Sequence, residues 1–170
     1  GGGRGELVAV DLPGARIGRL RENLEKLRKR KNIKYTIIEK DVKDLSLGYF
    51  ESLNLPDVYD VVVLDAPCSN TGVLRRRVDA KWRLEEKDIT RMADIQFELL
   101  VKSALFVKPG GRLVYSTCSI EREENMGVVE KFINQHGEEF ELKKSIVSYP
   151  WMERHDGGGG FLLIRKVNLG

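Results

Sequence analysis

The chain has 170 residues, of which 41% are hydrophobic and 32% are charged. This balance is typical of a folded domain and excludes a largely disordered chain. The length predicts one domain over residues 1–170. The sequence contains no apolar run long enough to span a membrane and opens without the apolar core of a secretory signal, so a cytoplasmic protein is expected.

The cysteine and histidine content limits the chemistry that the chain can carry. Two cysteines are too few for a disulfide framework. Cys68 and Cys118, taken with His136 and His155, show no paired ligand spacing, so we predict no metal site. The formal net charge of +3 favours a nucleic-acid partner only weakly.

Short β-branched runs alternate with longer amphipathic stretches in the first half of the chain, which predicts an α/β fold with a mostly parallel sheet. Strands are predicted at 7–11, 35–39 and 61–64. The first strand is followed by a helix. Its apolar positions, at helical spacing, are Ile17, Leu20, Leu24 and Leu27.

The second half continues the alternation. A long helix is predicted from about Glu85, with Val107 still on its apolar face and residues 108–111 (KPGG) ending it. Ser119 is predicted to cap another helix, with glutamates in its first turn. Further strands are predicted at 112–116, 140–142 and 161–165, and the tetraglycine 157–160 is expected to lengthen a hairpin loop.

Polar residues follow four of the predicted strands. In a doubly wound sheet, ligands bind outside the carboxyl ends of parallel strands, so these residues are expected to meet at one edge. Asp11 is placed to accept hydrogen bonds from a ribose diol, although an aspartate here is also a common turn or capping residue. Asp41 carries the same two interpretations.

Cys68 and Cys118 each lie just beyond an apolar strand. A free cysteine is commonly a small core residue. Both of these lie instead in loops rich in Ser, Thr and Pro, which favours a reactive thiol. A helix start after Cys118 would stabilise its thiolate, although the glutamates of that first turn partly cancel the effect.

A basic loop with one aromatic residue follows the first cysteine. It contains Arg75, Arg76, Arg77, Lys81 and Trp82. Such a loop can grip phosphates and stack a base. The alternative is a solvated arginine run with the tryptophan at the edge of the core.

Two motifs carry a resemblance to a known family. Residues 65–72 (DAPCSNTG) and 115–120 (YSTCSI) together resemble the NOL/NOP/Sun family of RNA cytosine-5 methyltransferases. The resemblance covers nearly the whole chain. Further matching residues are Val10-Asp11 with Arg16, Lys81-Trp82, Gln96, Glu123-Glu124-Asn125, and His155-Asp156-Gly157 with Phe161.

This resemblance implies a Rossmann-like methyltransferase fold with an antiparallel C-terminal strand, acting on RNA, with ribosomal RNA preferred over transfer RNA. It implies that Cys118 attacks carbon 6 of a flipped-out cytosine, which activates carbon 5 toward a sulfonium methyl. Cys68 is implicated in release of the product. Asp65 is expected near the reacting cytosine or the methionine end of the cofactor.

The implied cofactor is S-adenosylmethionine. The family pattern assigns its ribose to Asp11 and its adenine amine to Asp41, with Asp65 and Pro67 also in contact with it. The family's glycine-rich cofactor loop and the strand before it precede Leu7, and residues 1–5 are too short to supply them. The domain is therefore expected to be truncated at its N-terminus relative to the family.

The absent strand is central in this fold, and its loss exposes sheet edges. We therefore expect the strand ending at Asp11 either to pair directly with the strand ending at Asp65 or to recruit another chain, as in self-association. The alternative to an enzyme is a catalytically silent RNA-binding or assembly module on the same scaffold. A DNA or small-molecule methyltransferase is disfavoured by the paired cysteine motifs.

Overall fold

The computed structural model describes residues 5–27, 33–74, 85–152 and 155–167. The strands are β1 (Gly5–Asp11), β2 (Ile33–Glu39), β3 (Tyr59–Asp65), β4 (Val107–Thr117), β5 (Phe140–Ser148) and β6 (Gly158–Arg165). The helices are α1 (Ala15–Leu27), α2 (Leu47–Ser52), α3 (Glu86–Ala104) and α4 (Val128–His136). Single turns of tighter or wider helix lie at Val42–Asp44, Thr71–Val73 and Glu123–Gly127. None of the described helices is long and apolar enough to cross a membrane.

The strands form two sheets. β1 and β2 pair in parallel, and the second sheet has the order β3-β4-β6-β5. Within the second sheet β3 and β4 are parallel, whereas β6 runs antiparallel to both β4 and β5. The α/β fold and the antiparallel C-terminal strand that the sequence predicts are therefore confirmed, in a mixed sheet.

The predicted direct pairing of the first strand with the third is wrong. Within the described residues β1 hydrogen-bonds to β2 and β3 to β4, in separate sheets. An apolar cluster joins the two instead: Val8 and Val10 of β1 pack against the same buried residues as Val62 of β3. The buried members of this cluster are Ile38, Leu45, Phe50, Leu55 and Phe106. Side-chain packing therefore connects β1 to the second sheet where no β1–β3 hydrogen-bonded pair is present among the described residues. Recruitment of another chain stays a prediction.

The main core lies between the four-stranded sheet and the helices α3 and α4. Alternate residues of β4 and β6 are buried, as expected for strands with one face on a core. Its most deeply buried side chains include Leu100, Val107, Leu113, Tyr115, Phe132, Phe161 and Leu163. This core holds the carboxyl ends of β3 and β4 in fixed positions.

Two predicted boundaries are wrong near this core. Helix α3 ends at Ala104, before Val107, which is the first residue of β4. Residues 108–111 therefore belong to that strand and do not form the end of the helix. The tetraglycine does not extend a loop, because its last three residues belong to β6. A Cβ at Gly159 would lie 2.0 Å from the Asn125 Oδ1 atom, so close packing explains the glycine there.

The helix predicted after Ser119 also starts later than expected. α4 begins at Val128, after the irregular turn Glu123–Gly127. Ser119 is fully buried, and its hydroxyl accepts a hydrogen bond from the Glu121 amide at 3.1 Å. Ser119 therefore fixes the loop that follows β4 instead of capping a helix.

Candidate active site

The two cysteines meet at the carboxyl ends of β3 and β4. These strands are parallel neighbours, with Asp65 opposite Ser116 in the register, so the loops that follow them leave the sheet side by side. The Cys68 Sγ atom lies 2.9 Å from the Cys118 Sγ atom. Both are free thiols. The parallel pairing thus brings together two residues that are far apart in the sequence.

Asn70 connects both cysteines. Its backbone adopts the left-handed conformation, with φ of 63°, which asparagine tolerates better than most residues. Its side-chain amide donates to the Cys68 carbonyl at 2.8 Å, and its Oδ1 atom accepts from the Cys118 thiol at 3.1 Å. Asn70 therefore ties the backbone of one cysteine to the side chain of the other.

Cys68 is the more buried of the two thiols. Burial, and next the hydrogen bond with Cys118, raises the pKa of Cys68 to about 12, because the thiolate would lose its hydration. Cys68 is therefore protonated at neutral pH. In that state it can donate a hydrogen bond to the Cys118 sulfur.

A network of buried polar side chains forms hydrogen bonds with the Cys68 loop. Glu124 is fully buried, and its carboxylate accepts hydrogen bonds from the Ser69 amide, the Ser69 hydroxyl and the Gln96 side chain. The Tyr115 hydroxyl lies 2.5 Å from the Glu124 carbonyl oxygen and 3.1 Å from the Gln96 Oε1 atom. Burial raises the pKa of Tyr115 well above its usual range, so the hydroxyl remains a donor.

Glycines allow the two loops and the start of β6 to touch. The Gly72 amide donates to the Cys118 carbonyl at 3.0 Å, and the Gly157 amide donates to the Gly72 carbonyl at 2.9 Å. A Cβ at Gly72 would lie 2.3 Å from the Gly157 carbonyl oxygen. No other residue type fits at Gly72 without moving this backbone.

The aspartates of the predicted cofactor site are in two groups. Asp65 is exposed at the end of β3 and accepts a 3.3 Å hydrogen bond from the Ser116 hydroxyl. Asp11 is the last residue of β1, and Asp41 follows β2. Each carboxylate accepts a hydrogen bond from a nearby backbone amide, that of Leu12 at 2.8 Å and that of Lys43 at 2.9 Å. These two residues thus also have the turn role that the sequence left open.

Pro67, the fourth predicted cofactor contact, has an exposed ring next to Asp65, while its carbonyl accepts from Gln96 at 2.8 Å. The carboxylates of Asp11, Asp41 and Asp65 are suitable acceptors for the hydroxyl and amino groups of a nucleoside cofactor. Within the described residues, no group of three or more His, Cys, Asp or Glu side chains is arranged to hold a metal ion.

The predicted RNA-binding loop, with Arg75, Arg76, Arg77, Lys81 and Trp82, lies outside the described residues. The described chain offers an aromatic pair that the sequence analysis missed. The rings of Tyr149 and Trp151 stack with centroids 4.9 Å apart, and Trp151 is 71% exposed. A Cβ at Gly157 would lie 2.7 Å from the Cδ atom of Pro150, the residue between them. No strand or helix pattern marks this segment, which explains why it was missed.

Sequence reasoning also missed the roles of Asn70, Gln96 and Glu124. From the sequence, Gln96 and Glu124 are identified only as residues that match the family pattern, with Glu124 in the first turn of a predicted helix. Its burial depends on contacts with α3 and with the Cys68 loop. The hydropathy pattern of a charged segment cannot reveal such contacts.

Comparison with known proteins identifies the relatives of the chain. A family model described as 16S rRNA methyltransferase RsmB/F matches residues 2–155. Ribosomal RNA small subunit methyltransferase B of Pectobacterium atrosepticum is 33% identical over 167 residues, covering 96% of this chain and 37% of that protein. The chain spans little more than a third of the length of the curated relatives it matches first.

Solved structures agree with this assignment. NSun6 from Pyrococcus horikoshii, solved with SFG, superposes with a TM-score of 0.68 at 26% identity, covering 96% of this chain and 42% of that one. A methyltransferase homolog protein from the same organism, at 21% identity, gives a TM-score of 0.69 over 96% of this chain and 62% of that one, which supports the Rossmann-like methyltransferase fold. The resemblance read from the two cysteine motifs is therefore confirmed, and the chain belongs to the 16S rRNA methyltransferase RsmB/F family.

Proposed function

We propose that this chain is the catalytic part of an S-adenosylmethionine-dependent enzyme that methylates carbon 5 of cytosine in RNA. Ribosomal RNA is the preferred substrate, ahead of transfer RNA, because the matching family and relatives are named for ribosomal RNA. The observation that carries the proposal is the 2.9 Å approach of the Cys68 and Cys118 sulfurs. Two adjacent thiols suit a reaction in which a covalent adduct must form and then be released.

Cys118 is the proposed nucleophile. It is less buried than Cys68, and its sulfur adds to carbon 6 of the cytosine after its proton passes to solvent. The addition breaks the carbon 5–carbon 6 double bond and makes carbon 5 nucleophilic. S-adenosylmethionine supplies the electrophilic methyl group that carbon 5 takes up. The carbon 5 proton then passes to solvent, its bonding electrons restore the double bond, and the Cys118 thiolate departs.

Cys68 is proposed to assist the release step. Its raised pKa keeps it protonated at neutral pH, so its S–H group can donate to the departing Cys118 sulfur. A hydrogen bond to developing negative charge stabilises the leaving thiolate. Cys68 thus acts as a hydrogen-bond donor.

Cofactor binding is proposed to use the carboxylates already described. Asp11 would hold the ribose hydroxyls and Asp41 the adenine amine, while Asp65 and Pro67 lie beside the cysteine loop, toward the reacting end. RNA contacts are proposed for Arg75, Arg76, Arg77, Lys81 and Trp82, as phosphate and base partners. An RNA substrate fits the cytoplasmic location expected from the sequence.

The direct test is methyl transfer from tritiated S-adenosylmethionine to unmodified ribosomal RNA and to transfer RNA, followed by nucleoside mass spectrometry. The proposal expects label in 5-methylcytidine and more of it in ribosomal RNA. A version of the protein extended at its N-terminus is assayed in parallel, since the chain spans only part of its relatives. Label on another nucleoside would contradict the proposed chemistry.

The second candidate is a catalytically silent RNA-binding or assembly module. It is favoured because Asp11 belongs to a different sheet from Asp65, and Asp41 lies in the turn after β2 of that other sheet. Calorimetry with S-adenosylmethionine distinguishes the two. Measurable binding supports the enzyme, whereas RNA binding without cofactor binding, in both the short and the extended proteins, supports the module.

A further inference from the structure

We propose that Glu124 is a positioning residue for Cys68, acting together with Gln96. The inference deepens the proposed function and rests on it for the role of Cys68 in release. Glu124 is fully buried, and no ion pair within the described ranges involves it. Burying a carboxylate without a cation is costly unless several hydrogen bonds stabilise it. The burial of Glu124 without an ion pair therefore indicates a specific role.

Glu124 and Gln96 form hydrogen bonds with the backbone on both sides of Cys68. The Glu124 Oε1 atom accepts from the Ser69 amide at 2.8 Å and from the Gln96 Nε2 atom at 2.9 Å. The same Nε2 atom donates to the Pro67 carbonyl at 2.8 Å. Pro67 and Ser69 are the residues directly before and after Cys68. The two peptide groups that flank the thiol are therefore fixed by one pair of side chains.

The residues that make these hydrogen bonds belong to the main core. Gln96 lies on α3, and Glu124 lies in the turn before α4. Tyr115 of β4 contacts both through its hydroxyl. Because Gln96, Glu124 and Tyr115 belong to three separate elements of the core, their hydrogen bonds restrict the movement of the Cys68 loop. Glu123, the neighbouring residue, is exposed and offers a matched control.

The expected consequence concerns the thiol geometry. The Cys68 sulfur lies 2.9 Å from the Cys118 sulfur, and a hydrogen bond to a departing thiolate depends on that distance. A displacement of about 1 Å can reduce the rate of a positioned step by up to about 100-fold. Loss of the Glu124 carboxylate should therefore slow the release step more than adduct formation.

The test compares Glu124→Ala, Glu124→Gln and Glu123→Ala by labelling with iodoacetamide at pH 8, with each thiol followed separately by mass spectrometry. We expect E124A to raise the ratio of Cys68 to Cys118 labelling several-fold. E124Q should recover part of the protection, because its amide oxygen can still accept from the Ser69 amide. E123A should match the wild type. If E124A does not fold, Gln96→Met removes the bonds to Pro67 and Glu124 and has the same expected effect.

Uniformly faster labelling of both thiols would indicate a general structural role, and it would overturn the proposal, as would an unchanged ratio in folded E124A. A second readout is the lifetime of the covalent RNA adduct on denaturing gels, which should lengthen in E124A and not in E123A. Absence of any adduct, even in Cys68→Ala, would instead overturn the proposed covalent function. The labelling ratio would still decide the positioning role.

Discussion

The cysteine loops and the aspartate-bearing strand ends differ in how firmly this chain holds them. The loops carrying Cys68 and Cys118 are connected to each other and to the main core by buried or partly buried hydrogen bonds. Asp11 ends a strand of the separate two-stranded sheet, Asp41 lies in the turn after the other strand of that sheet, and Asp65 is exposed. The two thiols are thus held by one core, whereas the proposed nucleoside binding would depend on how the two sheets are arranged.

The strongest prediction concerns the nucleophile. Cys118→Ala should abolish methyl transfer to RNA, because alanine cannot form the proposed covalent adduct. Scintillation counting of RNA after incubation with tritiated S-adenosylmethionine measures this. Retained methylation in C118A would show that the nucleophile is assigned wrongly.

Gly72→Ala tests the close packing of the loops that carry Cys68 and Cys118. Its Cβ would lie 2.3 Å from the Gly157 carbonyl oxygen and 2.7 Å from the Cys118 carbonyl oxygen, so the loops must separate. We expect a loss of about 1–3 kcal/mol in the free energy of unfolding. Gly48→Ala in α2 is the control: its Cβ meets nothing within 4 Å, and alanine there should stabilise by about 0.5–1 kcal/mol. Urea unfolding measures both. Equal effects of the two variants would refute the close-packing account.

Asp11→Ala tests the cofactor side. Removing a carboxylate that is proposed to accept from ribose hydroxyls should weaken S-adenosylmethionine binding about 10- to 100-fold, the usual range for a charged hydrogen bond. Thiol labelling should not change, because Asp11 is on the other sheet. The control is Asp57→Ala, an exposed residue before the amino end of β3. Calorimetry gives the dissociation constants, and a D11A value equal to that of D57A would remove Asp11 from the cofactor site.

The pH dependence of stability follows from the raised pKa of Cys68. A thiol whose pKa is higher in the folded protein is stabilising below its unfolded pKa of about 9, and this contribution is lost as pH rises toward about 12. The free energy of unfolding should therefore fall more steeply above pH 9 in the wild type than in Cys68→Ala. Tyr59 and Tyr115, whose pKa values burial also raises, are common to both proteins. Urea titrations at pH 7 to 10.5 measure the difference in slope, and parallel curves would contradict the assignment.

The smallest effect is expected at the ion pair between Lys43 and Glu98, which links the turn after β2 to α3 across 2.7 Å. Both side chains are largely exposed, and exposed pairs contribute little to stability. Glu98→Gln should leave the melting temperature within experimental error. A clear drop would mean that this pair, rather than the apolar cluster around Phe50, holds the two sheets together.

The sequence predicted the proximity of the two cysteine loops well, because it follows from the position of each cysteine just after a strand. Two apolar strands followed by Cys68 and Cys118, if parallel and adjacent, must place their loops together. Element types were largely correct, whereas the C-terminal end of α3 and the start of α4 were wrong, because they depend on contacts between distant segments. The burial of Glu124 and the strand position of the tetraglycine follow from side-chain packing that periodicity does not encode.

The covalent adduct itself tests the central claim most directly. Cys68→Ala, incubated with S-adenosylmethionine and unmodified ribosomal RNA, should accumulate a protein–RNA species that survives denaturing electrophoresis, with the crosslink mapped by mass spectrometry to Cys118. The double variant Cys68→Ala/Cys118→Ala should show none. An adduct in the double variant, or one mapped to a residue other than Cys118, would contradict the account.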